Sequence, residues 1–290
     1  GSESMQVSIK GVPEGFTLSG GTRNADGSWS VAQSDLGNVA INAPKDFNGQ
    51  VNLTLEATTT ESSNGSTSVV SKGFSVSINA VADAANVTVG NVAGLEDQAI
   101  KLDLAASLSD VDGSESMQVS IKGVPEGFTL SGGTRNADGS WSVAQSDLGN
   151  VSINAPKDFS GQVNLTLEAT TTEASNGSTA VVSKDFSVNI NAVADAANVT
   201  VGNVSGLEDQ AIKLDLASSL SDVDGSETMK VAIKGVPEGF TLSAGTRNAD
   251  GSWSVAQSDL DKVSINAPKD FNGQVNLTLE ATTTSTAKST

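Results

Sequence analysis

Residues 208–227 carry six acids, Glu208, Asp209, Asp215, Asp222, Asp224 and Glu227, against one base, Lys213. Asp222-Val223-Asp224-Gly225-Ser226-Glu227 places carboxylates at i, i+2 and i+5 around a glycine that lets the chain wrap, and Glu208-Asp209 belongs to a neighbouring loop. Such a loop can turn several oxygens onto one hard cation; Ca²⁺ takes about 6–8 oxygens at roughly 2.3–2.6 Å, whereas Mg²⁺ prefers few carboxylates in a rigid octahedron. Neighbouring carboxylates without Lys or Arg partners repel one another unless a cation sits among them. The pattern recurs at 96–115. It is not an EF-hand, because the distal bidentate Glu and the flanking helices are missing. The plain alternative is a solvated acidic turn in which Asp222 caps a bend.

Composition narrows the remaining chemistry. The 290 residues contain no His and no Cys, which removes disulfides, thiolate metal sites, a Cys nucleophile and the commonest general base. An enzyme is therefore not expected. With 16 Lys+Arg against 34 Asp+Glu the formal charge is −18, which argues against nucleic acid or anionic lipid as partner, since binding those needs clustered bases. No apolar run approaches the ~20 residues of a membrane span, so no membrane insertion is expected and the chain reads as soluble.

The acidic pattern is one part of a larger repeat. Gly1-Ser2-Glu3-Ser4-Met5 returns at Gly113 and, with one change, at Gly225, a spacing of 112 residues. Residues 1–112 and 113–224 differ at eight positions, including Ala40/Ser152, Gly73/Asp185 and Ser77/Asn189. A unit of this length falls within the range of an autonomous domain and exceeds the ~20–50 residues of solenoid repeats. Because 290 is 2 × 112 + 66, the chain is expected to be a fragment cut inside a repeat.

Strand-like alternation dominates each unit: Met117, Val119, Ile121; Val163, Leu165, Leu167; Phe186, Val188, Ile190; Ile212, Leu214, Leu216. Turn signals separate these runs, among them Pro125-Glu126-Gly127, Asp138-Gly139, Pro156-Lys157-Asp158 and Asn176-Gly177. Leu104-Ala105-Ala106-Ser107-Leu108 could form one helical turn. Short strands with turns every eight to twelve residues or so indicate all-β, tandem antiparallel β-sandwiches arranged end to end, with Trp141 and Phe159 as large core pieces. Asn191 to Asn198 reads as a short linker. Its earlier copy sets the expected domains at 1–82 (lacking opening strands), 83–194 (complete) and 195–290 (lacking a closing strand).

Gly206-Leu207-Glu208-Asp209, Asp222-Val223-Asp224-Gly225-Ser226-Glu227, Gly235-Val236-Pro237-Glu238-Gly239-Phe240, Asp250-Gly251-Ser252-Trp253 and Ala267-Pro268-Lys269-Asp270-Phe271, in this order, resemble the tandem extender repeats of giant bacterial RTX adhesins. The resemblance covers all but the last six residues. It implies Ig-like or cadherin-like sandwiches, Ca²⁺ stiffening each domain and junction, an extracellular place on a Gram-negative cell, and a spacer that holds a distal ligand-binding domain outward. By the same resemblance the ligands are Glu96, Asp97, Asp110, Asp112 and Glu115, then Glu208, Asp209, Asp222, Asp224 and Glu227, with Asp83 and Asp195 as linker candidates. The expected partners are calcium ions and neighbouring repeats of the same chain, in a monomer. The rival reading is a repeated weak binding module for carbohydrate, ice or another cell, acting by avidity.

Overall fold

The computed structural model describes residues 3–110, 113–223 and 225–285; two expected ligands, Asp112 and Asp224, lie outside that set. The fold is all-β, built from small sheets of Ig-like sandwich type. Two compact units divide the chain. The first comprises Gly1–Asn86, Ser107–Gln118 and Ala169–Val182; the second comprises Val87–Ala106, Val119–Glu168 and Ser183–Thr290.

In the first unit five antiparallel strands form a sheet in the order Thr22–Arg23, Trp29–Val31, Glu3–Lys10, Gly49–Glu61, Thr67–Ile78. Side chains alternate between faces with a period of two, so Val51 and Leu53 are buried while Asn52 between them is exposed. They pack with Ile9, Phe16, Leu18, Trp29 and Val31, and Ile41 of the short pair Thr17–Leu18/Ile41–Asn42 covers the cluster.

The second and third repeats follow the same plan. The sheet of the second repeat runs Thr134–Arg135, Trp141–Val143, Glu115–Lys122, Gly161–Glu173, Thr179–Asn191, Val92–Leu95. Its last pairing is parallel, with Val188 opposite Val92 and Asn191 opposite Leu95. A second sheet runs Ile100–Lys101, Ser152–Asn154, Thr129–Leu130. In the third repeat the main sheet runs Thr246–Arg247, Trp253–Val255, Glu227–Lys234, Thr278–Ser285.

The alternating runs point inward as their phase requires: Val163, Leu165, Leu167, Phe186, Val188 and Ile190 are all buried. Trp141 and Phe159 are only half-buried, contrary to expectation. Trp141 is one strand from the sheet margin, screened there by the two-residue strand Thr134–Arg135. Phe159 sits edge-on to Phe128 at 4.9 Å. The run at Leu104 is also not helical. It belongs to the strand Asp103–Ser107, in which Leu104 and Ala106 are buried and Ala105 is exposed, so alternation overrides the helix propensity of its alanines.

Candidate metal centre

Two groups of three aspartates, one in each unit, bring carboxylate oxygens within 4.8 Å of one another: Asp46, Asp83 and Asp110 in the first, Asp97, Asp158 and Asp195 in the second. A turn, a linker and strand-end loops supply them. Asp46 and Asp158 sit in Pro-Lys-Asp-Phe turns closed by Phe47 N–H to Pro44 O (3.3 Å) and Phe159 N–H to Pro156 O (3.2 Å). Their φ values, 63° and 60°, and the 56° of Asp97 lie in the left-handed region, which Asp tolerates better than most residues because its short side chain can bond locally. Asp97 Oδ1 accepts the Asp158 N–H at 2.9 Å, tying the two turns together.

The linker aspartates are held from both sides. The Asp83 N–H donates to Glu115 Oε1 (2.5 Å), and its carbonyl accepts the hydroxyl of the fully buried Thr171 (2.5 Å). In the same way the Asp195 N–H donates to Glu227 Oε1, and Thr283 Oγ1 donates to the Asp195 carbonyl (2.6 Å). In the first unit Asn176 Nδ2 also donates to Ala80 O (2.7 Å), and the Ala82 N–H to Ser178 Oγ (3.3 Å). The linker is therefore an ordered, hydrogen-bonded segment with Ala82 and Ala85 buried.

The structure divides the expected acidic loop 96–115 between two centres. Asp97 follows the strand Val92–Leu95, which lies on Thr179–Asn191 and so ends beside the linker holding Asp195. Asp110 instead follows Asp103–Ser107, where Ser109 Oγ donates to Ala84 O (2.8 Å), and it joins Asp83. Glu115 and Glu227 orient linker backbone rather than joining the aspartate groups. Glu96 is buried, its Oε1 accepting the Val193 N–H (2.5 Å). Asp222 is 3% exposed and accepts the Ser226 hydroxyl (3.0 Å). Glu208 and Asp209 are exposed, Asp209 Oδ1 accepting the Asp270 N–H (2.9 Å). Asp46 and Asp158 escape sequence reasoning, because Pro-Lys-Asp reads as a turn and the adjacent lysine hides the aspartate in any count of unpaired acids.

Surface ion pairs and buried carboxylate oxygens accompany the aspartate groups. Lys45 lies on Asp46 (2.6 and 2.7 Å) and Lys157 on Asp158, and hydrogen bonding to the adjacent aspartate raises the pKa of each ammonium. These lysines are largely exposed, so each adds little stability as a surface pair. Inside, Glu227 is 7% exposed, and its Oε2, like that of Glu115, is buried with no hydrogen-bond partner. A buried carboxylate oxygen left in that state is costly, and a neighbouring cation relieves the cost. The donor set is oxygen throughout, which fits a hard cation and not zinc or copper.

No family model and no curated protein matches the chain. Among solved structures it is similar to Drosophila N-cadherin EC1-4, with 12% identity over 97% of this chain and a TM-score of 0.27. It is also similar to the cadherin-like domains 1 to 4 of zebrafish RET, with 10% identity over 97% of this chain and a TM-score of 0.20. The chain spans 66% and 65% of those two structures' lengths. The likeness to cadherin-like arrays is distant and concerns the fold alone.

Proposed function

We propose that the chain is a calcium-stabilised spacer from a large extracellular bacterial adhesin, in which each inter-repeat linker is fixed to the sandwiches on both sides of it by Ca²⁺. The observation that carries this reading is the meeting of the linker acid Asp195 with Asp97 and Asp158 of the repeat before it, while Glu227 of the repeat after it holds the Asp195 backbone. Asp97, Asp158 and Asp195, and likewise Asp46, Asp83 and Asp110, would hold the ion. Asp222 and Glu227 lie on the side of the following repeat, and the buried, unpartnered oxygen of Glu227 supports a charge there. Calcium suits the number of carboxylates and their irregular placement better than magnesium does. The ion supplies positive charge that cancels repulsion among the acids; this chain's residues do the rest, ordering linker backbone and restricting rotation between repeats that a short linker otherwise permits. This reading involves no catalysis: without His or Cys the chain lacks the commonest general base and the thiol nucleophile. Tandem copies suit a spacer, because length grows with each added unit. Small-angle scattering tests this: the maximum dimension should be larger in calcium than in chelator. Equal dimensions with the repeats folded in both would contradict it.

A further inference from the structure

The turn that joins Gly161–Glu173 to Thr179–Asn191 contains Asn176-Gly177, one of four Asn-Gly pairs in the sequence. Asparagine is thermolabile, and a glycine after it leaves the next backbone nitrogen unshielded by any side chain. Both residues are exposed, so water reaches them. Three hydrogen bonds nevertheless hold the atoms that would react. Asn176 Oδ1 accepts the Ser178 N–H (2.8 Å), closing an Asx turn. The Gly177 N–H donates to Glu173 O (2.8 Å). Asn176 Nδ2 donates to Ala80 O (2.7 Å), a bond that spans 96 residues and reaches the linker. The same turn takes the Ala82 N–H on Ser178 Oγ (3.3 Å), so the side-chain amide is one half of a clamp that ends just before Asp83.

We infer that Asn176 is a self-modification site, converted by water to aspartate and isoaspartate, and that this reaction is held back while the linker is docked and loosens the linker once it has occurred. In the first step the Gly177 nitrogen bonds to Asn176 Cγ, the Cγ–Nδ2 bond breaks, and Nδ2 leaves as ammonia with the proton that Gly177 gives up. Water then opens the cyclic imide. Cleavage at Cγ gives aspartate and cleavage at the main-chain carbonyl gives isoaspartate, each restoring the Gly177 N–H. The docked turn opposes the first step at all three atoms, because the nitrogen, the amide oxygen and the leaving group are each held by a partner. The product cannot restore the clamp. A carboxylate only accepts hydrogen bonds, so an oxygen in place of Nδ2 faces Ala80 O as acceptor against acceptor, and isoaspartate also lengthens the turn backbone. Loss of ammonia makes the change one-way.

The full 290-residue chain and a synthetic peptide of residues 170–182 are incubated side by side at mildly alkaline pH, and conversion at Asn176 is followed by peptide mapping with mass spectrometry. Both should yield aspartate and isoaspartate, the chain about tenfold or more slowly, since each neutral hydrogen bond is worth a factor of roughly two to ten. In an Asn176→Asp chain, amide hydrogen exchange at Ala82 should be faster by about twofold to tenfold, with Leu165 and Leu167 unchanged. Failure of the chain to convert at Asn176 overturns the proposal. Conversion as fast as in the peptide overturns the gating by the docked linker, and unchanged Ala82 exchange in the Asn176→Asp chain overturns the loosening.

Discussion

Glu227 does two jobs with one carboxylate, Oε1 fixing the linker at Asp195 and Oε2 lying buried without a partner. Glu227→Gln keeps the shape and removes the charge, so calcium affinity should fall by roughly 10–100-fold, as for residues that orient metal ligands; calorimetric titration measures it. A second residue-scale prediction concerns acid. Asp26, Asp138 and Asp250 each accept the hydroxyl and N–H of the serine two residues on, which lowers the pKa of each carboxyl. A carboxyl whose folded pKa is depressed contributes stability above its unfolded pKa and loses that contribution as pH falls through the folded value. The Asp138 carboxyl should accordingly titrate at lower pH in the folded chain than in a peptide of residues 134–142, by NMR, and Asp138→Asn should flatten the acid limb of the stability profile. At this scale the sequence was half legible. Asp97 and Asp110 stand in an acidic run, whereas Asp83 and Asp195 lie in Ala-rich linkers and enter through the resemblance; which of them come together depends on strand order. Asp158 could not be seen because its significance comes only from Asp97 reaching it across 61 residues.

Alternation and turns account for the elements. Val163, Leu165 and Leu167 share one phase and one face, so burial of one fixes the others. What alternation cannot reveal is the short parallel strand Val92–Leu95: with Gly94 at its centre it resembles a loop, and its value comes from packing. Gly94→Ala would drive a methyl onto Ile100 Cγ1 and should destabilise by about 1–3 kcal/mol, the usual result of overpacking. The cover that this strand gives Phe186 supplies a matched comparison. Phe186→Ala should lower stability by about 3–5 kcal/mol, as in well-packed cores, and the equivalent Phe74→Ala by clearly less, because Phe74 is 45% exposed and Phe186 4%. Denaturant unfolding of the two variants checks the order.

For the molecule as a whole, the formal charge is −18 with aspartates gathered at the linkers, and on the proposed reading calcium would be a term in stability rather than an accessory. A ligand bound only by the folded chain adds about 2.7 kcal/mol at a hundred times its Kd, or roughly 5–10 °C in Tm for a protein of this size class. The most direct measurement is the melting temperature of the chain in calcium and in chelator, alongside a variant with Asp83→Asn and Asp195→Asn. The account predicts a rise of that order for the unsubstituted chain and little or none for the variant. Equal melting temperatures for the unsubstituted chain in the two conditions, or a full rise in the variant, would contradict the claim that calcium acts through the linkers.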